Sequence, residues 1–305
     1  MSKLNDKTST GMTCYFCSST SITKSNKRRT INFFQIRNYF LCLNCKGFSL
    51  YPKLEQFEIE SLYSTNYIKD VNPNSDYSPD TEVDRFKKLF TLVANIYNRT
   101  ELKFLDYGCG SSAEVIIRTT NLGYISFGVE VEESTRTQAH SESGCKIYSP
   151  QEIISAGLQF DLIFLGDVLE HLNNPQDTLK EIHKILLPHG ILIAQGPLEG
   201  AQTISNFLMS IKSAFLKGSP SYFPPYHVSL ATRKAIFEVL EKANLKVQSL
   251  KVTEPLWPAP RFASKASFIS FSSLIFSFTK LVDIILNRLN HQHGTRYYLE
   301  ARKEL

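Results

Sequence analysis

The chain of 305 residues carries a formal net charge of +5, with 42% hydrophobic and 21% charged residues. That balance excludes a disordered or fibrous polymer, and the length allows one large domain plus a small module. The mild positive charge permits an acidic partner without requiring one.

The first residues, MSKLNDKTSTGMTC, are polar and lack the apolar stretch of a secretory signal, so the expected location is the cytoplasm. Residues 12–52 are rich in Phe and Tyr and hold two close cysteine pairs, Cys14 with Cys17 and Cys42 with Cys45, separated by 24 residues. In a reducing compartment metal explains that pattern better than disulfides. Two C-x-x-C knuckles can present four thiolates tetrahedrally to Zn²⁺, and a small module with little core takes most of its folding energy from such a site. The expectation is a zinc-binding β ribbon over 1–52, with KSNKRR (24–29) near a hairpin tip between the knuckles. Residues 53–80, which include NPNSDYSPD, punctuate the chain and read as a linker.

From Thr81 helix-like and strand-like pieces alternate, which indicates an α/β domain over 81–305 with a parallel sheet. VDRFKKLFTLVANIY places Val83, Phe86, Leu89, Phe90 and Val93 on one helical face. LKFLDYG reads as a first strand, AEVIIRTTN as a helix, YISFGVEV as a second strand and DLIFLGD as a buried strand. A helix follows, with Asn174 able to cap it, Pro175 in its first turn, Leu179, Ile182, Ile185 and Leu186 on its inner face, and Pro188 and Gly190 at its end. ILIAQGP is a further strand. TRKAIFEVLEKAN is a helix capped by Thr232 and closed by Asn244 in a left-handed conformation. LKVQSLKV and RYYLEAR read as the last two strands.

The turn LDYGCGSSA carries Gly108, Gly110 and Ala113 in a G-x-G-x-x-G/A pattern, which by itself admits a nicotinamide or flavin dinucleotide. Glu130 ends the second strand about 20 residues on, where a carboxylate can accept hydrogen bonds from ribose hydroxyls. Asp106 stands at the strand exit, two residues before the first glycine. Its charge would repel a pyrophosphate and attract a sulfonium with an amino-acid tail; the competing reading makes it a cap for the following helix. A dehydrogenase also finds no Tyr-x-x-x-Lys pair anywhere in the chain.

LDYGCGSS with Glu130, followed by FDLIFLGDVLEHLNNPQDTLKEIHKILLPHGILIAQGP, resembles the class I S-adenosylmethionine-dependent methyltransferases, above all the branch whose fourth strand runs into an EHL-x-x-P turn. The resemblance covers roughly residues 83–250, with the final strand near 296–302. It implies a Rossmann-like seven-stranded sheet with helices on both faces, and S-adenosylmethionine as cofactor. It further implies that Asp106, Gly108 and Gly110 line the methionine end with Cys109 near the cofactor, that Glu130 holds the ribose, and that Asp167 lies beside cofactor or substrate. Ser112 stands where the family often has glycine, and KIYSPQEI lacks the acid often found near the adenine amino group, leaving Ser149, Gln151 or backbone groups for that task. The order of ribbon, LYSTNY and core is similar to zinc-containing bacterial methyltransferases that act on sugars or other secondary metabolites.

Methyl transfer to an acceptor is governed by positioning, which can offset roughly 7–11 kcal/mol, while a base adds about 10²- to 10⁴-fold where the acceptor must lose a proton. His227, adjoined by Tyr226 in YFPPYHVSL, follows the fifth strand in the loop region that covers the site in this fold and is the base candidate. The alternative is a loop histidine bonded to backbone. His171 with Glu170 reads as ordering the turn beneath the ligand; His183, His189 and the HQH at 291–293 read as surface groups, and Cys109 and Cys145 as packing residues. The expected acceptor is a sugar, nucleotide-sugar or related metabolite, methylated at oxygen or carbon. The alternative acceptor is RNA or another nucleic acid, bound through KSNKRR.

Fourteen uncharged residues separate Lys265 from Lys280, five of them serines, too few for a membrane span. Within a helical insertion at about 254–294, Phe268, Phe271, Ile275, Phe278, Val282, Ile285 and Leu289 recur at helical spacing. That predicts a lid, a dimer surface or, with Arg261, Lys265, Lys280 and Arg288, a shallow peripheral membrane contact.

Overall fold

The computed structural model describes residues 11–32, 35–55, 57–59, 87–88, 91, 101–204, 207, 226–254 and 271–303. Of the helix expected at 83–97, Lys87, Lys88 and Thr91 are helical; Val83, Phe86, Leu89, Phe90 and Val93 lie outside the described residues, as do Phe268 and Phe223 of FPPY.

Seven strands form the main sheet: β4 (Lys103–Tyr107), β5 (Ile125–Val129), β6 (Ile147–Tyr148), β7 (Phe160–Gly166), β8 (Leu186–Pro197), β10 (Leu245–Thr253) and β11 (Arg296–Lys303). Their order is β10-β11-β8-β7-β4-β5-β6, parallel through β8 with β11 inserted antiparallel between β8 and β10. The period-two alternation of strands sorts their residues into two layers. Phe104, Leu162, Phe164, Ile191 and Ile193 face one way, where Val115 of helix α1 (Glu114–Asn121) packs on them. Leu105, Ile163, Leu165, Leu192 and Ala194 face the other, under helices α4 (Pro175–Ile185) and α5 (Arg233–Glu241). Between β5 and β7 lie helices α2 (Glu133–Ser143) and α3 (Pro150–Ser155). Helix α6 (Phe271–Leu289) connects β10 to β11.

The boundary between α4 and β8 differs from expectation. Leu186 opens the strand instead of closing the helix, and β8 runs through Pro188 and Gly190, with His189 at φ 62°. Asn174 sits at the N-cap position of α4 without making the cap bond; its side chain accepts from Lys53 instead. Thr232 caps α5 as expected, accepting from the Ala235 N–H at 3.1 Å, and Asn244 takes the left-handed conformation at φ 56°.

The amino-terminal strands β1 (Ile22–Asn32), β2 (Gln35–Cys42) and β3 (Phe48–Tyr51) pair antiparallel, and a two-residue strand β9 (Ser229–Leu230), from the segment before α5, completes their sheet beside β3. Residues 24–29 of KSNKRR therefore run along β1, and not around the hairpin tip. The sheet is fastened to the main domain at several points. Thr232 Oγ1 donates to the Cys45 carbonyl at 2.8 Å, Gln176 Nε2 to the Tyr15 carbonyl at 3.1 Å, and Asn173 Nδ2 to the Leu54 carbonyl at 2.8 Å.

Gly47 lies at the tightest point of that junction: a Cβ there would stand 2.8 Å from the buried Phe16 ring and 3.0 Å from Ala235 Cβ on α5. Gly47→Ala is expected to force the two apart and destabilise the protein by about 1–3 kcal/mol in denaturant unfolding. An unchanged midpoint would mean that the junction is not close-packed.

Candidate active site

Two sites lie on either side of the amino-terminal junction. In the first, Cys14, Cys17, Cys42 and Cys45 are buried and their Sγ atoms all lie within 4.8 Å of one another. Cys14 meets Cys45 at 3.5 Å and Cys17 meets Cys42 at 3.5 Å, close to the sulfur separation of about 3.8 Å that a tetrahedral Zn–S distance near 2.3 Å gives. The two knuckles share one backbone design. In the first, Ser18 takes φ 59° and donates its N–H to the Cys14 carbonyl at 3.0 Å; in the second, Lys46 takes φ 63° and donates to the Cys42 carbonyl at 3.1 Å. The Cys45 contact pulls the Cys14 thiol down to about 5, while the same contact and burial push Cys45 up. Four thiolates cannot share so small a volume without a cation, so the donor set fits zinc.

The second site lies at the carboxyl ends of β4, β5, β7 and β8. Gly108 at φ 85° and Gly110 at φ 63° turn the chain sharply after β4, and the Gly108 N–H donates to the Val129 carbonyl at 2.8 Å. A Cβ on Gly108 would stand 2.7 Å from the Val168 side chain, whereas one on Gly110 would meet nothing within 4 Å, so the turn opens a cradle at Gly110. Glu130 reaches that cradle: its carboxylate accepts the Gly110 N–H at 3.1 Å and the Val131 N–H at 2.8 Å. Asp106 does not cap α1, whose N-cap is Ala113 at φ 47° with no side-chain bond. Asp106 is buried, and burial together with the Glu130 charge pushes its carboxyl up to about 8. Burial raises Glu130 as well, against the backbone donors that lower it. Two desolvated acids beside an open glycine turn fit a cationic ligand such as a sulfonium with an ammonium tail. They do not fit a pyrophosphate.

Ser149, one of the residues expected near adenine, is committed within the protein, forming a reciprocal capping box with Glu152 at the start of α3. Cys109 and Cys145 pack against Ala113, Ile116 and Ala139, as expected of packing residues.

Across from the glycine turn, the exits of β7 and β8 gather a polar cluster. Asp167, at φ 55°, donates its N–H to the Gln195 carbonyl at 3.0 Å, and its carboxylate is gripped in a fork by Arg296 of β11 at 2.8 and 2.6 Å. His227 Nδ1 lies 2.8 Å from the Glu199 carboxylate, and His171 Nδ1 lies 3.1 Å from the Tyr226 carbonyl. The His171 ring stands 4.9 Å from that of His227 and 5.4 Å from that of Tyr226. Burial and then the neighbouring His227 charge hold His171 down at about 3, so it is neutral, with its proton on Nδ1 toward the carbonyl. Burial also lowers His227, but the Glu199 charge and hydrogen bond outweigh it and the net shift is upward. Burial and Asp167 push Glu170 up to about 8. One donor atom each from Glu170, His171 and His227 lies within 4.8 Å of the others, a set able to take a divalent cation.

The structure thus brings His227, Tyr226, Asp167, Glu170 and His171 into one cluster, and Asp106, Gly108, Gly110 and Glu130 into another. Sequence reading did not find Glu199, Arg296 or Tyr39. Glu199, an acid just past a buried strand, was open to discovery. Arg296 and Tyr39 were not, since they arrive from 129 residues downstream of Asp167 and 188 upstream of His227.

A methyltransferase domain model matches residues 82–250. Among curated proteins, a ubiquinone biosynthesis O-methyltransferase from Rickettsia bellii is 25% identical over 179 residues, covering 55% of this chain and 71% of that protein. Among solved structures, magnesium protoporphyrin IX methyltransferase from Synechocystis with bound S-adenosylhomocysteine aligns with a TM-score of 0.46 at 13% identity, covering 73% of this chain and 84% of that one. A methyltransferase dependent on S-adenosylmethionine from Archaeoglobus fulgidus aligns with a TM-score of 0.46 at 17% identity, covering 75% and 100%.

The raised Asp106 carboxyl makes a stability prediction. Its folded value of about 8 lies above the unfolded value near 4, so its contribution is fully present below about pH 4 and is lost as pH rises through about 8. Ligand-free protein should therefore lose stability across that window relative to Asp106→Asn, read as the difference between their denaturant unfolding curves. Parallel pH profiles would place Asp106 in water.

Proposed function

The chain belongs to the methyltransferase domain family, and from that premise we propose that it moves a methyl group from S-adenosylmethionine to oxygen or carbon of a small polar metabolite, a sugar or nucleotide-sugar being the best fit. The observation that carries this reading is the Glu199–His227 pair, set at 2.8 Å within a buried cluster opposite the glycine turn.

When bound, the cofactor supplies a methyl carbon on a positively charged sulfur. Asp106, the Gly108–Cys109–Gly110 backbone and Glu130 are assigned to hold it, the two acids meeting its positive groups and ribose hydroxyls. His227 is assigned as base: Nδ1–H stays on Glu199, Nε2 accepts the acceptor proton, and Glu199 stabilises the imidazolium that results. Asp167, fixed by Arg296, and Tyr226 are assigned to orient the acceptor. The buried Tyr297 hydroxyl, which has no hydrogen-bond partner among the described residues and lies with a Glu170 oxygen beside Gly196, supports an acceptor that is itself polar. Residues 1–52 are assigned as a zinc module that shapes the acceptor side, 53–80 as its connection and 81–305 as the methyltransferase domain. The likeness to an O-methyltransferase supports oxygen as the acceptor atom.

Calorimetry should show S-adenosylmethionine or its demethylated product binding at micromolar strength, weakened about tenfold or more by Glu130→Ala; tight NAD binding in their place would overturn the assignment. With a turned-over acceptor, His227→Asn should lower kcat by about 10²- to 10⁴-fold while leaving cofactor affinity unchanged. Purified protein should contain one zinc per chain, lost in Cys14→Ser/Cys45→Ser. Its removal should lower kcat more than cofactor affinity, because the cysteine sheet holds the His227 backbone.

A further inference from the structure

Helix α6 is built inside out. Its inward face is polar: Lys280 pairs with Glu254, their side chains 7% and 0% exposed. Asp283 is fully buried, accepting from His293 Nε2 at 2.6 Å and from the Ile204 N–H at 3.0 Å. Asn287 donates to the carbonyls of Val252, at 3.1 Å, and His293. The outward face carries Phe278, Leu281, Ile285 and Leu289, which are 68%, 55%, 48% and 78% exposed. Their spacing of three, four and four residues lines them along one stripe.

A helix resting on a domain in water ordinarily turns its apolar stripe inward. Here the domain has instead buried one ion pair, Lys280 with Glu254, and one carboxylate, Asp283, hydrogen-bonded to His293 and the Ile204 N–H, groups whose desolvation costs free energy, to hold the stripe outward. The charges indicate what meets it. Asp283 is buried and hydrogen-bonded, so no acidic side chain stands among the exposed described residues of α6, while Arg288 and the following His291 are exposed beside Leu289. An apolar stripe with a cationic end complements the boundary between acyl chains and anionic headgroups. The stripe of described side chains spans about 16 Å of a helix about 10 Å wide, roughly 160 Å², well short of the roughly 800 Å² per partner that a stable dimer buries. Among the described residues no helix is long and apolar enough to cross a membrane.

We propose that α6 seats the protein on an anionic membrane surface, lying in the interface plane with Phe278, Leu281, Ile285 and Leu289 inserted and Arg288 at the headgroup phosphates. The proposal stands independently of the acceptor. It also gives a route by which an acceptor at the lipid boundary reaches the site, since β11 begins seven residues after Leu289 with the Arg296 that grips Asp167.

The test is flotation of the full chain with phosphatidylcholine vesicles containing or lacking phosphatidylglycerol. The full chain should float with the anionic vesicles, and weakly or not at all with the neutral ones. Ile285→Asp/Leu289→Asp should lose at least about tenfold of that binding, and Arg288→Glu about tenfold, with helical content and melting temperature unchanged because these side chains face outward. Failure of the folded full chain to float, or equal flotation of the variants, would overturn the proposal. So would a dimer in light scattering that the double variant dissolves while lipid binding persists.

Discussion

Tyr39 of β2 donates its hydroxyl to the carbonyl of His227 at 2.5 Å, and Leu50 of β3 donates its N–H to the carbonyl of Val228 at 2.9 Å. Val228 in turn donates to the carbonyl of Glu170 at 2.8 Å. These bonds make the candidate catalytic segment the last strand of a foreign sheet. A loop after the fifth strand has little of its own to fix it, and a base that must sit within hydrogen-bond reach of an acceptor needs its backbone fixed first. The cysteine cluster provides that fixity at a distance. It joins the turn before β1 to the turn between β2 and β3, at one end of the ribbon where Ile22 pairs with Cys42 and Leu41 with Phe48, and so fixes the register of the strands that carry Tyr39 and Leu50. The small module therefore touches the candidate site through main-chain hydrogen bonds, without placing a cysteine in it.

The two halves of the site handle buried charge in opposite ways. At the glycine turn Asp106 and Glu130 are both pushed toward their protonated forms by burial, and the nearby Arg136, whose guanidinium donates to the Glu130 and Val131 carbonyls, offsets Glu130 only in part. In the acceptor half, Arg296 already neutralises Asp167 and Glu199 is matched to His227, so the remaining carboxyl, Glu170, is the one driven up. Under the proposed assignment, that difference in buried charge is what would separate a cationic donor at the glycine turn from a polar acceptor beside His227.

How much was legible in the sequence follows from the range of each interaction. The strands β7 and β8 announce themselves because both faces are covered and their apolar runs are nearly continuous; Thr232 and Asn244 announce α5 because caps are local. Leu186 misleads because its apolar side chain suits a helix face and a buried strand equally, and only pairing with β7 decides. Ser18, Lys46, Ala113 and Asp167 take left-handed conformations without glycine, so no residue type marks those turns. The two-residue strand β9 is defined wholly by its partner β3. That Asp106 does not cap the helix after the glycine turn, and that its carboxyl is raised, both depend on burial that no single strand reveals.

The same limit explains α6. Its apolar spacing was plain, yet spacing gives only the existence of a stripe and leaves open the side that faces the domain. That is decided by Glu254 at the end of β10 and His293 before β11, which supply fixed partners for Lys280 and Asp283 on opposite sides of the helix in the chain. Rotating α6 to bury its stripe would leave Glu254 buried without a cation and carry Lys280 and Asp283 away from their partners. Unpaired buried charge costs more than a few exposed apolar side chains recover, so the outward orientation is fixed by the domain itself and persists whether or not anything covers the stripe.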